Sequence, residues 1–258
     1  MFSAVEPPAV APSVIPADLL LASLLDALVG DPRWLPHPVR SMGRVAAGFE
    51  RVVRPWCENP GILRLAGVLL ALALPSLAFG LAWMLITVGA GVHEWLGRGL
   101  GIVLAFTTLA WRDLVDHVAG VRNPLHAGSW QEARAALSRM VGRDTDQLSE
   151  PEIVRATVET VAESASDGII APLFYLMLGG APLALAYKAV STLDSLVGHR
   201  DERYRDFGWA SARLDDLANW IPARVTALLI VAASALVLQR PASIMRSART
   251  LWRDGHKH

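Results

Sequence analysis

The stretch Leu65–Gly89 reads LAGVLLALALPSLAFGLAWMLITVG and contains no charged residue. A helix that crosses a bilayer needs about 20 mostly apolar residues, so this stretch is long enough. Pro75 lies inside it and predicts a kink. The whole chain of 258 residues is 53% hydrophobic and 19% charged, with mean hydropathy +0.36. A soluble domain carries about 25% charged residues, so the composition also predicts an integral membrane protein.

Further apolar stretches surround this first one, and no alternating strand pattern longer than a few residues is present. The sequence therefore predicts an all-α, polytopic membrane protein with additional cytoplasmic amphipathic helices. Residues 1–16 contain four prolines and predict an extended lead-in, while residues 17–258 form one membrane-embedded domain. The other predicted membrane segments are Ala17–Val29, Gly99–Trp111 with an amphipathic continuation to Val118, Ile169–Leu193 and Ile221–Leu238.

The distribution of arginine predicts the topology. Arginines are frequent before Leu65, between residues 112 and 167, and after Gly198, whereas the link near His93 holds only Arg98. Basic loops stay on the cytoplasmic side, so the segments around this link form a hairpin with a small external turn. Ile169–Leu193 has basic flanks on both sides. We therefore expect a re-entrant pair of half-helices, broken at residues 179–182 (Gly-Gly-Ala-Pro), with both flanks inside.

Two helices outside the membrane are predicted between these spans. Ser129 is placed as the N-cap of a helix whose apolar stripe ends near Gly142. Ser149 and Glu152 form a capping-box pattern with a proline in the first turn, which predicts a helix that runs to about Ser166.

Acidic residues on this second helix are the first candidate site. Glu159 and Glu163 lie one turn apart on one face, and Asp167 follows a further turn along. Three carboxylates at this spacing can hold a divalent cation and so present the phosphates of a nucleotide. The alternative is a solvated face of an ordinary amphipathic helix. Because the run ends at Asp167-Gly168 and enters the membrane at once, we favour the site, since uncompensated carboxylates there are costly.

A second polar cluster begins where the broken span ends. Lys188 and Asp194 lie in it, and either they belong to a site or they reach the membrane interface as isolated charges. The following loop is rich in arginine, which suits phosphate or carboxylate recognition, although solvated ion pairs explain it equally well. Its remaining candidate residues are Arg203, Arg205, Arg213, Asp215, Asp216 and Asn219.

A third cluster lies in a proline-rich loop after the first helix. Gly30 and Pro32 end that helix, and three prolines within seven residues make the loop stiff. Such a loop can present Arg33, His37 and Arg40 to a ligand. A lone loop histidine is more often structural than catalytic.

Several classes of function are excluded. The formal net charge is zero, which gives no indication of a nucleic-acid partner. The single cysteine, Cys57, permits no intramolecular disulfide and no multi-cysteine metal site. The only lysines are Lys188 and Lys257, and neither lies in a P-loop context. Any nucleotide chemistry must therefore use a site of another type.

Taken together, the three clusters resemble a known family. Residues 30–44 (GDPRWLPHPVRSMGR), 159–175 (ETVAESASDGIIAPLFY) and 187–224 (YKAVSTLDSLVGHRDERYRDFGWASARLDDLANWIPAR) are similar to segments of adenosylcobinamide-phosphate synthases, the CobD/CbiB family of cobalamin biosynthesis. The resemblance covers the chain from about Asp18 to its end.

The resemblance implies an ATP-dependent ligation at the cytoplasmic face of the cell inner membrane. A propionate carboxylate of adenosylcobyric acid is joined to aminopropanol or its phosphate through an acyl phosphate. With ATP and Mg²⁺ as cofactors, the metal–nucleotide role falls to Glu159, Glu163 and Asp167. Phosphate contacts fall to Arg203, Arg205 and Arg213, while Asp194, Asp215 or Asp216 is a base or a second metal ligand. The residues expected at the substrates are His37, Arg40, Lys188 and Asn219.

The chain departs from the family pattern in two places. Ser164 stands where family members tend to have Asn, and it keeps an uncharged polar side chain. After His258 the family would continue with a Ser-Pro-Asn loop and at least one further membrane segment, so we expect a C-terminally truncated form.

Two other classes of function share some of these features. A small transporter would also contain a broken apolar span, but no second matching pair of half-helices is present. An AmpE-like membrane signalling protein is a more distant resemblance. The expected partners are the corrinoid, aminopropanol or its phosphate and the lipid bilayer, and a homo-oligomer is left open.

Overall fold

The computed structural model describes residues 16–31, 37–56, 59–142, 144–199 and 201–238, and every regular element in these ranges is helical. The all-α prediction is confirmed, while most of the predicted lead-in (residues 1–15) lies outside the described residues. The helices are α1 (Pro16–Val29), α2 (Pro38–Val53), α3 (Pro60–Val92), α4 (Glu94–Phe106), α5 (Trp111–His126), α6 (Trp130–Leu137), α7 (Glu150–Ala165), α8 (Ala171–Val197), α9 (Trp209–Ala218) and α10 (Trp220–Leu238).

In the part of the chain that the structure describes, three helical stretches are long and apolar enough to cross a membrane. They are Pro60–Val92, Glu150–Val197 and Trp220–Val237, which correspond to the predicted spans at α3, α8 and α10. The chain is therefore a multi-pass membrane protein. Pro75 lies within α3, which is assigned as one helix from Pro60 to Val92.

The prediction of a first membrane helix at Ala17–Val29 is only partly met. The described α1 has 14 residues, a length of about 21 Å, which is less than a hydrocarbon core of about 30 Å. Its two carboxylates are satisfied inside the protein rather than by water. Asp18 pairs with Arg98 at 2.8 Å, and Asp26 accepts the backbone N–H of Trp111 at 2.6 Å.

The predicted continuous helix from Gly99 to Val118 is wrong, because α4 ends at Phe106 and α5 begins at Trp111. Tertiary hydrogen bonds explain the break. The backbone N–H of Ala110 donates to the Gly168 carbonyl oxygen at 2.9 Å, and the Asp26 carboxylate takes the first N–H of α5. These bonds hold the start of α5 out of line with α4.

The predicted break in the second span is confirmed. Gly180 has φ +68° and ψ −166°, a conformation that favours glycine, and the chain reverses there. The rings of Tyr175 and Tyr187 stack at 4.9 Å, although twelve residues of straight helix would separate them by about 18 Å. Lys188 Nζ likewise returns to 3.5 Å from the Asp167 carbonyl oxygen. Residues 171–178 and 181–197 are thus two antiparallel arms, as a re-entrant hairpin requires.

The apolar core forms along α3 and this hairpin. Small residues such as Ala78 and Ala82 on α3 pack against Leu185 and Ala189 on the returning arm. On the other side of the hairpin, Ala22 of α1 joins a second cluster that α4 and the outgoing arm complete. The bundle therefore brings Asp167, just before the outgoing arm, close to Lys188 on the returning arm.

Helices α5, α6 and α7 form a cap at that end. Their shared core is built from Val121, Leu137 and Ile153, which are all fully buried. The capping box between Ser149 and Glu152 is present, and α7 ends at Ala165 as predicted. Ser129 precedes α6, but its side chain makes no capping bond. The cap leaves a space between itself and the bundle.

Candidate functional site

A solvent-accessible cavity of about 780 Å³ lies between the cap and the bundle. A space of this size accommodates a small-molecule ligand. Carboxylates outnumber the Lys and Arg side chains on its wall, so the cavity favours a cation or a cation-bound ligand. The ionisable residues that line it are Asp113, His117, Arg139, Glu163, Asp167, Lys188, Asp194 and His199.

One turn of irregular helix places the acidic residues. Residues Ser166–Ile170 form a π-helical turn between α7 and α8, a feature that is frequent at functional sites. Glu163, at the end of α7, and Asp167, inside this turn, both line the cavity. Glu159 is instead ion-paired with Arg155 at 2.8 Å on the exposed side of α7 and is absent from the cavity lining. The structure thus brings two of the three predicted metal residues to the cavity.

The returning arm of α8 supplies the opposite charge. Lys188 is partly buried, and its ammonium lies 3.5 Å from the Asp167 carbonyl oxygen, with Asp31 and Asp26 acting on it electrostatically. It does not extend to an interface as an isolated charge. Six residues further along the same arm, Asp194 also lines the cavity. The sequence placed Lys188 and Asp167 in two separate polar clusters. It could not predict that they lie close together, because the hairpin brings them into proximity.

A hydrogen-bonded chain links the returning arm of α8 to α9. The Tyr187 hydroxyl donates to Asn219 Oδ1 at 2.9 Å, and the Asn219 amide donates to Asp215 Oδ2 at 2.9 Å. Among the described residues, Asp215 Oδ1 is buried without a hydrogen-bond partner. Asn219 therefore connects Tyr187 to the Asp215 carboxylate.

Burial dominates the titration of Asp215. Loss of solvent raises the pKa of its carboxyl to about 7, and the hydrogen bond from Asn219 only partly opposes this effect. The negative charges of Asp194, Asp167 and Asp216 raise the pKa further. At neutral pH this carboxyl group is thus divided between its two protonation states.

This raised pKa predicts a stability effect for Asp215→Asn. The folded chain keeps the proton up to about pH 7, whereas the unfolded chain loses it near the ordinary aspartate pKa of 3.8. Because the unfolded chain is ionised in this range while the folded chain still holds its proton, stability falls progressively as pH rises from about 4 to about 7. The variant lacks this penalty, so its Tm should exceed that of the wild type increasingly from pH 5 to pH 8. Thermal unfolding in detergent checks this; parallel Tm curves would contradict it.

His37 is also brought toward the site. Its imidazole is buried and holds Asp31 through Nε2 at 2.9 Å. Burial lowers the pKa of this imidazole, Asp31 opposes the shift, and the positive charges of Arg40 and Lys188 add to it. Nε2 donates to Asp31, so Nδ1 is an acceptor, and it has no hydrogen-bond partner among the described residues. Arg40 is exposed on α2, and Arg33 lies outside the described residues.

The arginine-rich loop is placed differently from the prediction. Arg203 is ion-paired at 2.9 Å with the buried carboxylate of Glu50, which Arg54 also holds. Its charge therefore neutralises a buried group at the junction of α2 and the loop. Three other predicted residues, Arg205, Arg213 and Asp216, are exposed and do not line the cavity.

Four further ionisable residues that line the cavity were missed by the sequence reasoning. They are Asp113 and His117 on α5, Arg139 after α6, and His199 beyond α8. Asp113 and His117 are one turn apart, which is the only local indication that the sequence offered. Nothing in the sequence places α5 over the hairpin, because that contact depends on the Ala110–Gly168 hydrogen bond.

The donor set fits magnesium bound together with a nucleotide. Within the described ranges, no group of three or more His, Cys, Asp or Glu residues is arranged to hold a metal ion. Mg²⁺ needs no such group, since it keeps several waters and is bound by one or two carboxylates plus phosphate oxygens. Glu163, Asp167 and Asp194 provide carboxylates of this kind in one cavity.

The fold and the cavity define the class of this protein: a multi-pass helical membrane protein with a charged cavity where its re-entrant hairpin meets a helical cap. The sequence profile described as "CobD/Cbib protein" matches residues 19–258. The chain belongs to the CobD/CbiB family.

Curated relatives support this assignment. "Cobalamin biosynthesis protein CobD" of Klebsiella pneumoniae is 49% identical over 92% of this chain and 74% of its own length. The Citrobacter koseri protein of the same name is 46% identical, and "Cobalamin biosynthesis protein CbiB" of Salmonella typhimurium is 45% identical, with the same coverage of both chains. No solved structure matches the chain.

Proposed function

We propose that this chain is an adenosylcobinamide-phosphate synthase, an ATP-dependent carbon–nitrogen ligase of cobalamin biosynthesis. The names of its relatives support the pathway, and one structural observation supports the chemistry. Glu163, Asp167, Asp194 and Lys188 all line one cavity. A phosphoryl-transfer site needs carboxylates for the metal and a cation for phosphate oxygens, and this cavity offers both.

The proposed reaction has two steps. A propionate oxygen of adenosylcobyric acid attacks the γ-phosphorus of ATP, so a carbon-bound oxygen gains a phosphoryl group and ADP leaves. The amine of aminopropanol or its phosphate then attacks the acyl carbon, and inorganic phosphate leaves. Activation is needed because a carboxylate does not react with an amine unaided.

The residues of the chain have separate tasks in this scheme. Glu163 and Asp167 hold the magnesium ion, which supplies charge neutralisation on the phosphates when bound. Lys188 contacts a phosphate oxygen as a point charge, and its burial strengthens that interaction. His37 accepts a hydrogen bond from a substrate through its buried Nδ1. Asn219 fixes the position of the Asp215 carboxylate, and Tyr187 in turn holds Asn219.

The membrane arrangement supports a cytoplasmic site. Both flanks of the α8 hairpin lie at one end of the bundle, and these flanks are the basic segments that the positive-inside rule assigns to the cytoplasm. ATP is available on that side. Cysteine accessibility at Ser166 and Ser195 tests the arrangement; labelling of the two positions from opposite sides of the membrane would contradict it.

A direct assay tests the function. The purified chain, incubated with adenosylcobyric acid, ATP, Mg²⁺ and aminopropanol phosphate, should yield a product whose mass equals both substrates minus water. Free aminopropanol in a parallel reaction identifies the preferred amine. Absence of any amide product from a folded, detergent-solubilised chain would refute the proposal.

A further inference from the structure

The cavity wall on α5 carries a pair of side chains to which no role has yet been given. His117 Nδ1 lies 2.7 Å from the backbone carbonyl oxygen of Asp113 and 3.2 Å from its carboxylate. Both partners are hydrogen-bond acceptors, so they require the proton to be on Nδ1. Nε2 is consequently the unprotonated, basic nitrogen of the ring. The imidazole lines the same cavity as the acidic turn.

This arrangement matches what a general base requires. The base must be presented to the cavity, it must carry a free lone pair, and a third group must orient it. Asp113 performs the orienting role and also stabilises the imidazolium that forms after proton uptake. Asp215 and Asp216, which the sequence also offered as bases, are placed less favourably. Asp215 accepts a hydrogen bond from Asn219, and Asp216 does not line the cavity.

We propose that the Asp113–His117 pair is the general base that deprotonates the amine substrate, an inference that rests on the proposed function. His117 Nε2 takes one proton from the ammonium group of aminopropanol or its phosphate. The freed nitrogen lone pair forms the C–N bond at the acyl carbon. The bond between the acyl carbon and the bridging phosphate oxygen then breaks, and its electron pair leaves with the phosphate. That phosphate takes the second proton from the nitrogen.

The surrounding charges make the site suitable for an ammonium group. Negative groups around the pair attract the protonated amine. Arg139 and Lys188 provide positive charge for phosphate groups beside it. Arg139 also lines a smaller adjoining cavity of about 240 Å³ together with His117. The charged and titratable groups that face the pair from the packed elements are Asp26, Asp116, Arg139, Glu163, Asp167, Lys188, Asp194 and His199.

The experiment separates amine deprotonation from carboxylate activation. His117→Gln is assayed with two nucleophiles, aminopropanol phosphate and hydroxylamine. Hydroxylamine is unprotonated at neutral pH, so it traps the acyl phosphate as a hydroxamate without a base. The variant should keep wild-type hydroxamate formation and lose about 10²- to 10⁴-fold in amide formation at pH 7. The amide rate should recover as pH rises and the free amine forms by itself.

Two further variants sharpen the result. Asp113→Asn should weaken amide formation by a smaller factor in the same direction, because it removes the orienting carboxylate and leaves the base. His126→Gln, at the exposed end of the same helix and outside the cavity lining, should match the wild type.

The other outcomes overturn the assignment. If His117→Gln loses both products, the residue supports the fold or the activation step rather than acting as a base. If it retains both, it has no part in amine attack. A wild-type chain that forms neither product would refute the proposed function, and the base assignment would fall with it.

Discussion

Asp167→Asn should lower the rate of amide formation by about 10³-fold or more while the protein remains folded. The carboxylate lies in the π-helical turn at the cavity wall, next to Glu163 and Lys188. The substitution removes a proposed magnesium ligand, and metal ligation contributes several kcal/mol to such reactions. It also leaves the Lys188 ammonium with less negative charge nearby. Initial rates at saturating ATP over a range of Mg²⁺ concentrations check the effect, which higher Mg²⁺ should only partly reverse.

A matched control separates this effect from a general loss of negative charge. Glu132→Gln removes a carboxylate from an exposed position of α6 that does not line the cavity. It should leave the rate unchanged. Asp167→Asn with wild-type rates at low Mg²⁺ would show that the acidic turn has no catalytic task.

The second large effect concerns stability. Gly67→Ala should destabilise the protein strongly, by about 3 kcal/mol or more, because the new Cβ would overlap the backbone carbonyl oxygen of Phe207. Backbone atoms at this position cannot give way as a flexible side chain can. Phe207 is fully buried against α3 and α8, so its displacement would also disturb the end of the hairpin. A lower Tm and a smaller yield of folded protein are the expected results.

Gly80→Ala on the same helix is the control for this substitution. A Cβ at Gly80 meets no atom within 4 Å, and alanine is the better helix former. Its Tm should equal or exceed that of the wild type. Equal stability of the Gly67 and Gly80 variants would mean that the close approach of the 201–208 loop to α3 is not maintained.

Local sequence patterns were sufficient for the features that depend on local physics. The apolar run of α3 predicted a span because no charge interrupts it, and the Gly179-Gly180 pair predicted the break in α8 because few residues other than glycine adopt φ +68°. The capping box at Ser149 predicted the start of α7 because its hydrogen bonds join residues only three positions apart.

Features that depend on tertiary partners could not be predicted. The separation of α4 from α5 rests on the Asp26 carboxylate and the Gly168 carbonyl oxygen, which are distant in sequence. Arg203 was predicted at phosphates because an arginine-rich loop does not show which buried carboxylate, here Glu50, it will neutralise. His117 gave no signal of its own, since a histidine on an amphipathic helix is ordinary until the helix is placed over the cavity.

Within the site, the sequence identified the acidic turn but not the cavity residues Asp113, His117, Arg139 and His199. Glu163, Asp167, Lys188 and Asp194 were all selected, and the structure brings them to one cavity. The selection of Glu159 followed ideal helical spacing, yet its carboxylate is paired with Arg155 outside the cavity lining. The π-helical turn at Ser166–Ile170 changes the spacing after α7, so a pattern based on 3.6 residues per turn does not apply to Asp167.

The central claim is that the cavity activates a carboxylate by phosphorylation before amide formation. Transfer of an isotopic label tests it most directly: adenosylcobyric acid carrying ¹⁸O in the reacting carboxylate is converted in the presence of ATP and the amine. The account predicts that the inorganic phosphate released will contain one ¹⁸O atom for each amide bond formed. Amide formation accompanied by unlabelled phosphate would contradict it.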